Sequence, residues 1–486
     1  MIDEIRQLEG CVREALEPDA ATRARFTDQI NDLSERFVED LGDSPGYRIS
    51  EDNGAGLYDR NIRETPDDPE AVLAHLEKHV LLNGVNGSSG AHLAYIPISS
   101  LYTASWADYL AALTNRFSAI FFASPGAVRM EHQVVRWITD LVGMPQTAGG
   151  VLNSGGSTAH LSGIVTARES KGLKARDYEK AVVYMSRETH YCVDKALCVA
   201  GMRETVIRRI PMDDQLRMIP QALGDAIQAD QAAGLIPWMV VANAGTTNTG
   251  AIDPLDAIAD LAERYGLWFH VDAAYGGFFM LVSEFREKLK GLERADTLVM
   301  DPHKGLFIPA GVGVCLARDV QDMHRAHAWH AEYLQDTAAL VDELSPAELS
   351  HELTRPFRAL RIWLPLMLHG VKPFRDALKE KLLLTRHVYQ RLAALPDVEM
   401  GPFPQITVVS FRFVPESVDG DSFNQAVHEA MMKEGRAFLS STLLDNRFTL
   451  RVVILSYRTH LDFLDEIIDS FIETKNRLLA SWPEGS

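Results

Sequence analysis

The chain has 486 residues, with 48 Lys and Arg residues against 67 Asp and Glu residues, which gives a formal net charge of −19. Binding to nucleic acid needs a basic surface that displaces counterions from phosphates, so this charge excludes nucleic-acid binding as the main function. Hydrophobic residues make up 46% of the sequence and charged residues 24%, which is ordinary for a globular protein and excludes disordered and collagen-like classes.

The start of the chain and its hydropathy pattern carry no signal for export or membrane insertion. The first residues, MIDEIRQLEG, are acidic and lack the basic and apolar regions of a secretory signal. The richest apolar stretch, 269–282, is too short for a membrane span and contains His270 and Asp272. The four cysteines form no CxxC pair, which favours reduced thiols over disulfides or a zinc site. We therefore predict a cytoplasmic protein with no membrane partner and no metal.

The first hundred residues have a helical pattern. One apolar face recurs at helical spacing at Phe26, Ile30, Leu33 and Phe37. A polar stretch over 50–59 then reads as a loop. A second helical pattern covers 104–141, breaks at 124–126, and leads into an expected loop at Gly149-Gly150. We expect the first segment to be an appendage that packs on another surface.

Between residues 151 and 318, short β-rich runs alternate with helical ones. The predicted strands are 181–186, 238–242, 267–271, 297–300 and 313–316. Strands alternating with helices require crossover connections, so the sequence predicts an α/β fold with a mostly parallel central sheet covered on both faces. Ligands of such sheets bind at the carboxyl ends of the strands.

The last part of the chain has a different pattern. A long helical stretch over 359–395, with expected breaks near Gly370 and Pro373, precedes a smaller α+β region with predicted strands 406–413 and 448–455. We therefore predict three parts: a helical N-terminal segment (1–103), a large α/β domain (104–370) and a small α+β C-terminal domain (371–486).

A pair of glycines lies near the start of the α/β region. The sequence NSGGST, 153–158, precedes a helical run. Without side chains, Gly155 and Gly156 let backbone amides approach an anion, Ser157 adds a hydroxyl, and the helix N-terminus favours negative charge. Phosphate is the expected ligand, although the same sequence is also typical of a plain turn with a helix cap.

Two further motifs place opposite charges after predicted strands. In HVDAAYGG, Asp272 ends an apolar strand, where a buried carboxylate is costly unless it meets a positive charge such as a protonated ring nitrogen. In DPHKG, Lys304 follows the next strand. The alternative for Asp272 is that it caps the next helix. The alternative for Lys304 is a surface lysine, but the apolar residues that follow it argue against this.

The two remaining motifs are less specific. His190 follows the strand predicted at 181–186, and the loop AGTTNTG around Thr246 follows the strand at 238–242. Considered alone, His190 could be a structural histidine, and the loop around Thr246 could be an ordinary turn. Together, the five motifs meet the needs of pyridoxal 5'-phosphate (PLP): a lysine that holds it covalently, a carboxylate that keeps its ring nitrogen protonated, and a phosphate site.

These motifs, in this order, resemble the group II PLP-dependent amino acid decarboxylases, the family of aromatic-L-amino-acid decarboxylase. The resemblance extends from AYIP at 94–97, through PHK at 302–304, to LRVV at 450–453. It implies an aspartate-aminotransferase-like fold (PLP fold type I), a homodimer with active sites at the interface, and an N-terminal segment that packs on the partner subunit.

The resemblance also implies a role for individual residues. Lys304 would form the Schiff base, Asp272 would pair with the pyridine nitrogen, Ala274 would lie under the ring and His190 would stack on it. Gly156, Ser157 and His303 would bind the phosphate, and Thr246 would support the site. Tyr333 would donate a proton to the reacting carbon, with His190 as the alternative donor. We expect Tyr95, Pro97 and Phe117 to contact the substrate.

Four positions depart from the pattern of the animal members, which favours a bacterial-type subfamily. Gly305 replaces a common Trp, Asp301 replaces Asn, and Gly155-Gly156 replaces Ser-Ala. The AYIP segment favours an aromatic or bulky apolar L-amino acid, decarboxylated to its amine and CO2. The alternatives are a carbon-carbon lyase or an aldehyde-forming decarboxylase-oxidase, and lastly a non-catalytic interaction protein, because fold alone does not fix the reaction.

Overall fold

The computed structural model describes residues 1–329, 343–416 and 418–482. Its α-helices are α1 (Ile2–Leu16), α2 (Ala20–Glu39), α3 (Pro69–Leu76), α4 (Tyr102–Thr114), α5 (Pro125–Val142), α6 (Gly156–Ser170), α7 (Cys192–Val199), α8 (Pro220–Ala232), α9 (Leu255–Tyr265), α10 (Pro302–Gly305), α11 (Val320–His327), α12 (Ala359–His369), α13 (Lys372–Ala393), α14 (Gly420–Glu434) and α15 (Leu461–Ala480). Its strands are β1 (Tyr47–Arg48), β2 (Gly84–Val85), β3 (Gly149–Asn153), β4 (Ala181–Met185), β5 (Val206–Arg209), β6 (Ile236–Asn243), β7 (Trp268–Asp272), β8 (Thr297–Met300), β9 (Gly313–Ala317), β10 (Val398–Met400), β11 (Val408–Phe413), β12 (Ser440–Leu444) and β13 (Arg447–Val453).

The large sheet has seven strands in the order β3-β9-β8-β7-β6-β4-β5. The strands β8, β7, β6, β4 and β5 run parallel, and β9 is antiparallel to both of its neighbours. Asn243 at the end of β6 lies opposite Asp272 at the end of β7. The carboxyl ends of these strands therefore meet at one edge, where the chain continues into the predicted motifs.

Both faces of this sheet are covered by helices. In β4, Val182 and Tyr184 lie in a core that α5, α8, α9 and α12 also fill. The intervening residues Ala181, Val183 and Met185 face the opposite side, where α6 and α7 pack. This alternation along a fully buried strand confirms the predicted α/β architecture with a mostly parallel sheet.

A second sheet lies near the C-terminus, with the antiparallel order β10-β11-β13-β12. Its own core contains side chains from α13, α14 and α15. The first half of α13, through Phe374 and Leu378, packs instead into the core of the large sheet. One helix thus connects the two hydrophobic cores, and the predicted α+β character of this part is confirmed.

The N-terminal helices bury little in this chain. Helix α1 has no buried residue, and α2 buries only Leu33. The end of the predicted 1–103 segment is different, because Leu93 is fully buried in the core of the small sheet and its amide donates to the carbonyl of Phe438 at 2.9 Å. Among the described residues, none of the helices has the length and apolar character needed to cross a lipid bilayer.

The seven predicted strands are present, with ends that differ by at most two residues. The loop predicted at Gly149-Gly150 is wrong, because both glycines belong to β3, which pairs with β9. A Cβ on Gly150 would lie 2.3 Å from the carbonyl oxygen of Cys315, so glycine permits the close approach of two strands there. Strands β1, β2, β5, β10 and β12 were not predicted.

Candidate active site

The carboxyl edge of the large sheet encloses a cavity of about 330 Å3. It is lined by Ser154, Gly155, Gly156, Ser157, Thr158, His160, His190, Cys192, Gly245, Thr247, Asp272, Ala274, Tyr275, Asp301, His303, Lys304 and Gly311. Seven of the predicted site residues are in this set: Gly156, Ser157, His190, Asp272, Ala274, His303 and Lys304. The motifs that lie far apart in the sequence therefore meet in one place.

The glycine pair lies where β3 turns into α6. Gly155 has φ 151°, a value that favours glycine, and it precedes the first residue of α6 without a capping side-chain hydrogen bond. A Cβ on Gly156 would lie 2.9 Å from Oδ2 of Asp301. The first amides of α6 thus remain available to an anion in the cavity, with the helix dipole favouring negative charge.

Lys304 lies on the short helix α10 that follows β8. Its Nζ forms a 2.9 Å ion pair with Oδ2 of Asp301, whose side chain is buried. Burial opposes a charged lysine, but the Asp301 carboxylate raises the pKa of Lys304 above its usual value. Oδ1 of Asp301 has no hydrogen-bond partner among the described residues, so the cavity wall keeps an unsatisfied polar atom.

Asp272 ends β7 at the floor of the cavity. Its Oδ1 accepts a hydrogen bond from the amide of Ala274 at 3.0 Å, and its Oδ2 lies 3.4 Å from Nε2 of His160. Burial alone would raise the pKa of Asp272, but the positive charge of His160 holds that pKa well below its usual value. The cavity therefore contains an ionised carboxylate and an amine on neighbouring strand ends.

His190 follows β4 and lines the same cavity. Its Nδ1 accepts a hydrogen bond from the amide of Cys192 at 3.3 Å, and its ring lies 4.4 Å from that of the exposed Tyr191. The short chain segment between β4 and α7 thus holds the imidazole at the cavity, as a stacking residue requires.

Thr246 does not line the cavity, although its neighbours Gly245 and Thr247 do. Its Oγ1 accepts a hydrogen bond from the amide of Ala251 at 3.1 Å, which closes the loop. Arg451 of β13 donates to the carbonyls of Thr247 at 2.7 Å and Asn248 at 2.8 Å. The small sheet therefore anchors this loop, and Thr246 stabilises its turn.

The residues predicted to contact the substrate lie elsewhere in this chain. Tyr95 and Phe117 are 61% and 41% exposed, and Pro97 is buried; none of the three lines the cavity. Tyr333 lies outside the described residues. The sequence analysis also missed His160 and Cys192. A usable signal for His160 was its position four residues after Gly156, which places both on one face of α6.

The residues in this cavity fit PLP. A phosphate matches the amides beside Gly156, where any larger side chain would meet Asp301. A protonated ring nitrogen matches the ionised Asp272, and an aldehyde matches the amine of Lys304. On the floor of the cavity, His160, Cys192 and Asp272 each place one polar side-chain atom within 4.8 Å of the others.

Comparison with known proteins agrees with this assignment. Residues 50–414 match the family described as the pyridoxal-dependent decarboxylase conserved domain. An aromatic-L-amino-acid decarboxylase of Bacillus atrophaeus is 34% identical over 94% of this chain and 94% of that protein. A phenylacetaldehyde synthase of Arabidopsis thaliana is 29% identical over 80% of this chain and 83% of that protein.

The fold is also shared with solved enzymes. The crystal structure of Oryza sativa TDC with PLP and tryptamine superposes with a TM-score of 0.89 at 24% identity, covering 95% of this chain and 99% of that chain. The predicted aspartate-aminotransferase-like fold and the PLP cofactor are therefore confirmed. The chain belongs to the pyridoxal-dependent decarboxylase family, and its activity is that of a PLP-dependent carboxy-lyase acting on an amino acid.

Proposed function

We propose that this protein decarboxylates an aromatic or bulky apolar L-amino acid to the corresponding amine and CO2. The main observation behind the proposal is that Lys304, Asp272 and the Gly155-Gly156 turn line the same cavity. Similarity to an aromatic-L-amino-acid decarboxylase over nearly the whole of both chains supports the substrate class.

In this proposal each side of the cavity holds one part of the cofactor. Bound PLP supplies an electron sink for the electron pair left behind when the α-carboxylate departs as CO2. Lys304 would attach it covalently, and Asp272 would keep its ring nitrogen protonated. Ser157, His303 and the amides at Gly156 would hold the phosphate, and His190 and Ala274 would contact the ring.

After CO2 leaves, a proton must reach the substrate α-carbon. We assign its delivery to Tyr333, by the resemblance of its Tyr-Leu sequence, with His190 as the alternative because its imidazole lines the cavity. A positioned acid of this kind contributes about 10²–10⁴-fold to a rate.

We also propose a homodimer. Phe26 and Ile30 of α2 and Tyr102, Trp106 and Tyr109 of α4 line an apolar groove of about 670 Å3, here called the α2–α4 groove. Exposed apolar patches of this kind mark protein interfaces. The exposed rings of Tyr95 and Phe117 would then border a neighbouring active site rather than their own. The cytoplasmic location remains a prediction.

The second candidate reaction is aldehyde-forming oxidative decarboxylation, which the similarity to a phenylacetaldehyde synthase favours. Such an enzyme would use the same cofactor residues and differ in how the reacting carbon is protonated. In the related enzymes a Phe at the position of Tyr333 favours the oxidative reaction, so a Tyr here favours the amine.

Incubation of the purified protein with each standard L-amino acid and L-DOPA, followed by amine, aldehyde and peroxide analysis, tests the proposal. We expect amine and CO2 in equal amounts from an aromatic or bulky apolar substrate, and none with Lys304→Ala. Turnover confined to small or charged amino acids would contradict the substrate class, and equal aldehyde and peroxide would favour the second candidate.

A further inference from the structure

His160 is a fully buried histidine on α6, one turn after the glycine pair, and it lies beside Asp272. The two side chains approach at 3.4 Å between Nε2 and Oδ2, on the side of Asp272 that Ala274 does not occupy. This Nε2 has no hydrogen-bond partner among the described residues. The imidazole therefore lies beside the carboxylate and lines the cavity, with Cys192 as its other polar neighbour there.

The other side of the imidazole belongs to a buried polar chain. Nδ1 of His160 lies 2.8 Å from Nε2 of His270, and Nδ1 of His270 lies 2.8 Å from Oγ1 of Thr297. Nε1 of Trp268 donates to the same oxygen at 2.8 Å. His160, His270 and Thr297 are fully buried. Such a chain, once formed, permits few arrangements of its protons.

Two arrangements leave each ring nitrogen with a partner. In the first, His160 donates to His270, which donates to Thr297, and His160 carries a second proton on Nε2. In the second, the hydroxyl of Thr297 donates to His270, which donates to Nδ1 of His160, and Nε2 again carries a proton. Both arrangements therefore direct an N–H group from His160 toward Asp272.

We propose that His160 is a positioning residue that keeps the Asp272 carboxylate ionised and directed into the cavity, and that His270 and Thr297 orient His160. The inference rests on the proposed function, because it assigns Asp272 to the ring nitrogen of PLP. Without His160, a carboxyl group this deeply buried would favour its neutral form and would bind a protonated ring nitrogen weakly.

The charges around this pair agree with the role. Burial opposes a charged histidine, but the Asp272 carboxylate raises the pKa of His160 to about 10. Burial and the neighbouring charge of His160 lower the pKa of His270 to about 3, so the positive charge stays on the ring nearer Asp272. The other titratable groups facing the pair are Cys192 of α7 and Lys304 of α10.

The experiment titrates the full-length protein, stripped of cofactor, with pyridoxal 5'-phosphate and follows its absorbance across a range of pH. His160→Leu removes the donor, His160→Gln keeps an N–H donor without the charge, and Thr297→Val removes the far end of the chain. His428→Gln is the matched control, a half-buried histidine on α14 outside the cavity. Circular dichroism establishes that each variant is folded.

We expect His160→Leu to weaken PLP binding by about 10- to 100-fold, because the buried Asp272 carboxylate loses the neighbouring group that favours its ionised form. The loss should grow as the pH falls, because Asp272 then becomes protonated in the pH range where it stays ionised in the unsubstituted protein. His160→Gln, which supplies an N–H group without the charge, should recover part of the affinity. Thr297→Val should have a smaller effect than His160→Leu, and His428→Gln should have none.

Equal affinity of the unsubstituted protein and folded His160→Leu, with the same pH dependence, would overturn the role of His160. A pH-independent loss that His160→Gln does not recover would also overturn it, since it would indicate a packing effect. If instead the unsubstituted protein takes up PLP at a lysine other than Lys304, the assignment of the site itself is wrong.

Discussion

Asp272 carries a charge in a place where a charge needs compensation. Its Oδ1 accepts from the amide of Ala274, its Oδ2 faces His160, and the cavity lies beside it. Because both protein partners favour the ionised form, Asp272 is ready to pair with a protonated ring nitrogen. The role that we propose for Asp272 therefore depends on its charge, and a substitution that keeps the shape of the side chain tests it.

We expect Asp272→Asn to lower kcat by roughly 30- to 5,000-fold, because loss of one partner of a buried charge pair costs about 2–5 kcal/mol. Cofactor retention should fall as well, as measured by the PLP content of the protein after gel filtration. Asp272→Glu, which keeps the charge, should retain more activity. An Asn variant with normal kcat would mean that another group protonates the ring.

The buried carboxylate of Asp230 leads to a prediction about the stability of the fold. Asp230 accepts hydrogen bonds from Nε and Nη2 of Arg208 and from the hydroxyl of Tyr184 at 3.0 Å. The Arg208 guanidinium holds the pKa of Asp230 below its usual value, against the effect of burial. The ionised form therefore stabilises the fold above the unfolded-state pKa of about 3.9, and this stabilisation is lost as the pH falls through the folded-state pKa.

We expect Asp230→Asn to lower the free energy of unfolding by about 1–2 kcal/mol at pH 7, allowing for the 43% exposure of Arg208. Urea unfolding should show the difference shrinking below about pH 4, where Asp230 is protonated. Asp445→Asn is the control, because its side chain is 80% exposed and its ion pair should contribute little. A difference that persists unchanged at low pH would contradict the assignment.

Some residues of the cavity were predictable and others were not. Lys304 and Asp272 follow apolar strands, and a charge at that place in the sequence is a local signal. His160 lies inside a helix rather than at a strand end, and its spacing from Gly156 is only a weak signal. Its partners Asp272 and His270 lie more than a hundred residues away, and only the sheet brings them together. The sequence analysis selected Thr246, but its neighbours Gly245 and Thr247 line the cavity instead. Loop geometry decides which residues face the cavity, and the sequence does not reveal it.

At the scale of elements, Gly305 shows how packing restricts a position next to Lys304. A Cβ on Gly305 would lie 2.6 Å from Cβ of Phe278, whose ring packs on Trp137 with centroids 6.5 Å apart. Phe278 therefore fills the space beside α10 that a side chain at position 305 would need. Close packing between α10 and the segment after β7 therefore favours glycine at position 305.

The segment around Tyr333 carries the prediction that distinguishes the two candidate reactions. If Tyr333 delivers the proton after CO2 leaves, Tyr333→Phe should shift products from amine toward aldehyde, ammonia and peroxide. Oxygen uptake and product analysis measure the shift, and His190→Asn tests the alternative donor in parallel. Amine formation at the normal rate without peroxide would remove Tyr333 from the mechanism.

The elements that the sequence predicted best are those with strong periodicity or continuous apolar runs. Strands β4, β6, β7, β8 and β9 are buried on both faces, so their apolar runs stand out. Strand β3 begins with two glycines and β5 is a half-exposed edge strand ending in two arginines, so neither has a typical strand composition. Long-range pairing, rather than local propensity, makes them strands.

At the scale of the whole molecule, the α2–α4 groove is the surface that most needs a partner. Trp106 and Tyr109 are 41% and 51% exposed, and Ile30 is 48% exposed. The hydroxyl of Tyr102 donates to Glu35 at 2.9 Å, which joins the two helices beside the groove. The division of the chain at residues 103 and 370 remains a prediction, which limited proteolysis tests.

We expect the protein to sediment as a dimer at micromolar concentration and Trp106→Asp to shift it toward monomer, because burying an unpaired carboxylate at an interface is costly. Activity should fall with the monomer fraction. Val199→Asp, at the exposed last residue of α7, is the control and should remain dimeric. A fully active monomer would contradict both the dimer and the proposed placement of Tyr95 and Phe117.

The most direct test of the account is reduction of the PLP-loaded protein with borohydride, followed by peptide mapping by mass spectrometry. The account predicts one modified peptide, with the pyridoxyl group on Lys304, and no modification at that peptide in Lys304→Ala. Attachment to a different lysine, or no attachment in a protein that still decarboxylates its substrate, would contradict the claim that the cavity at the carboxyl edge of the large sheet is the active site.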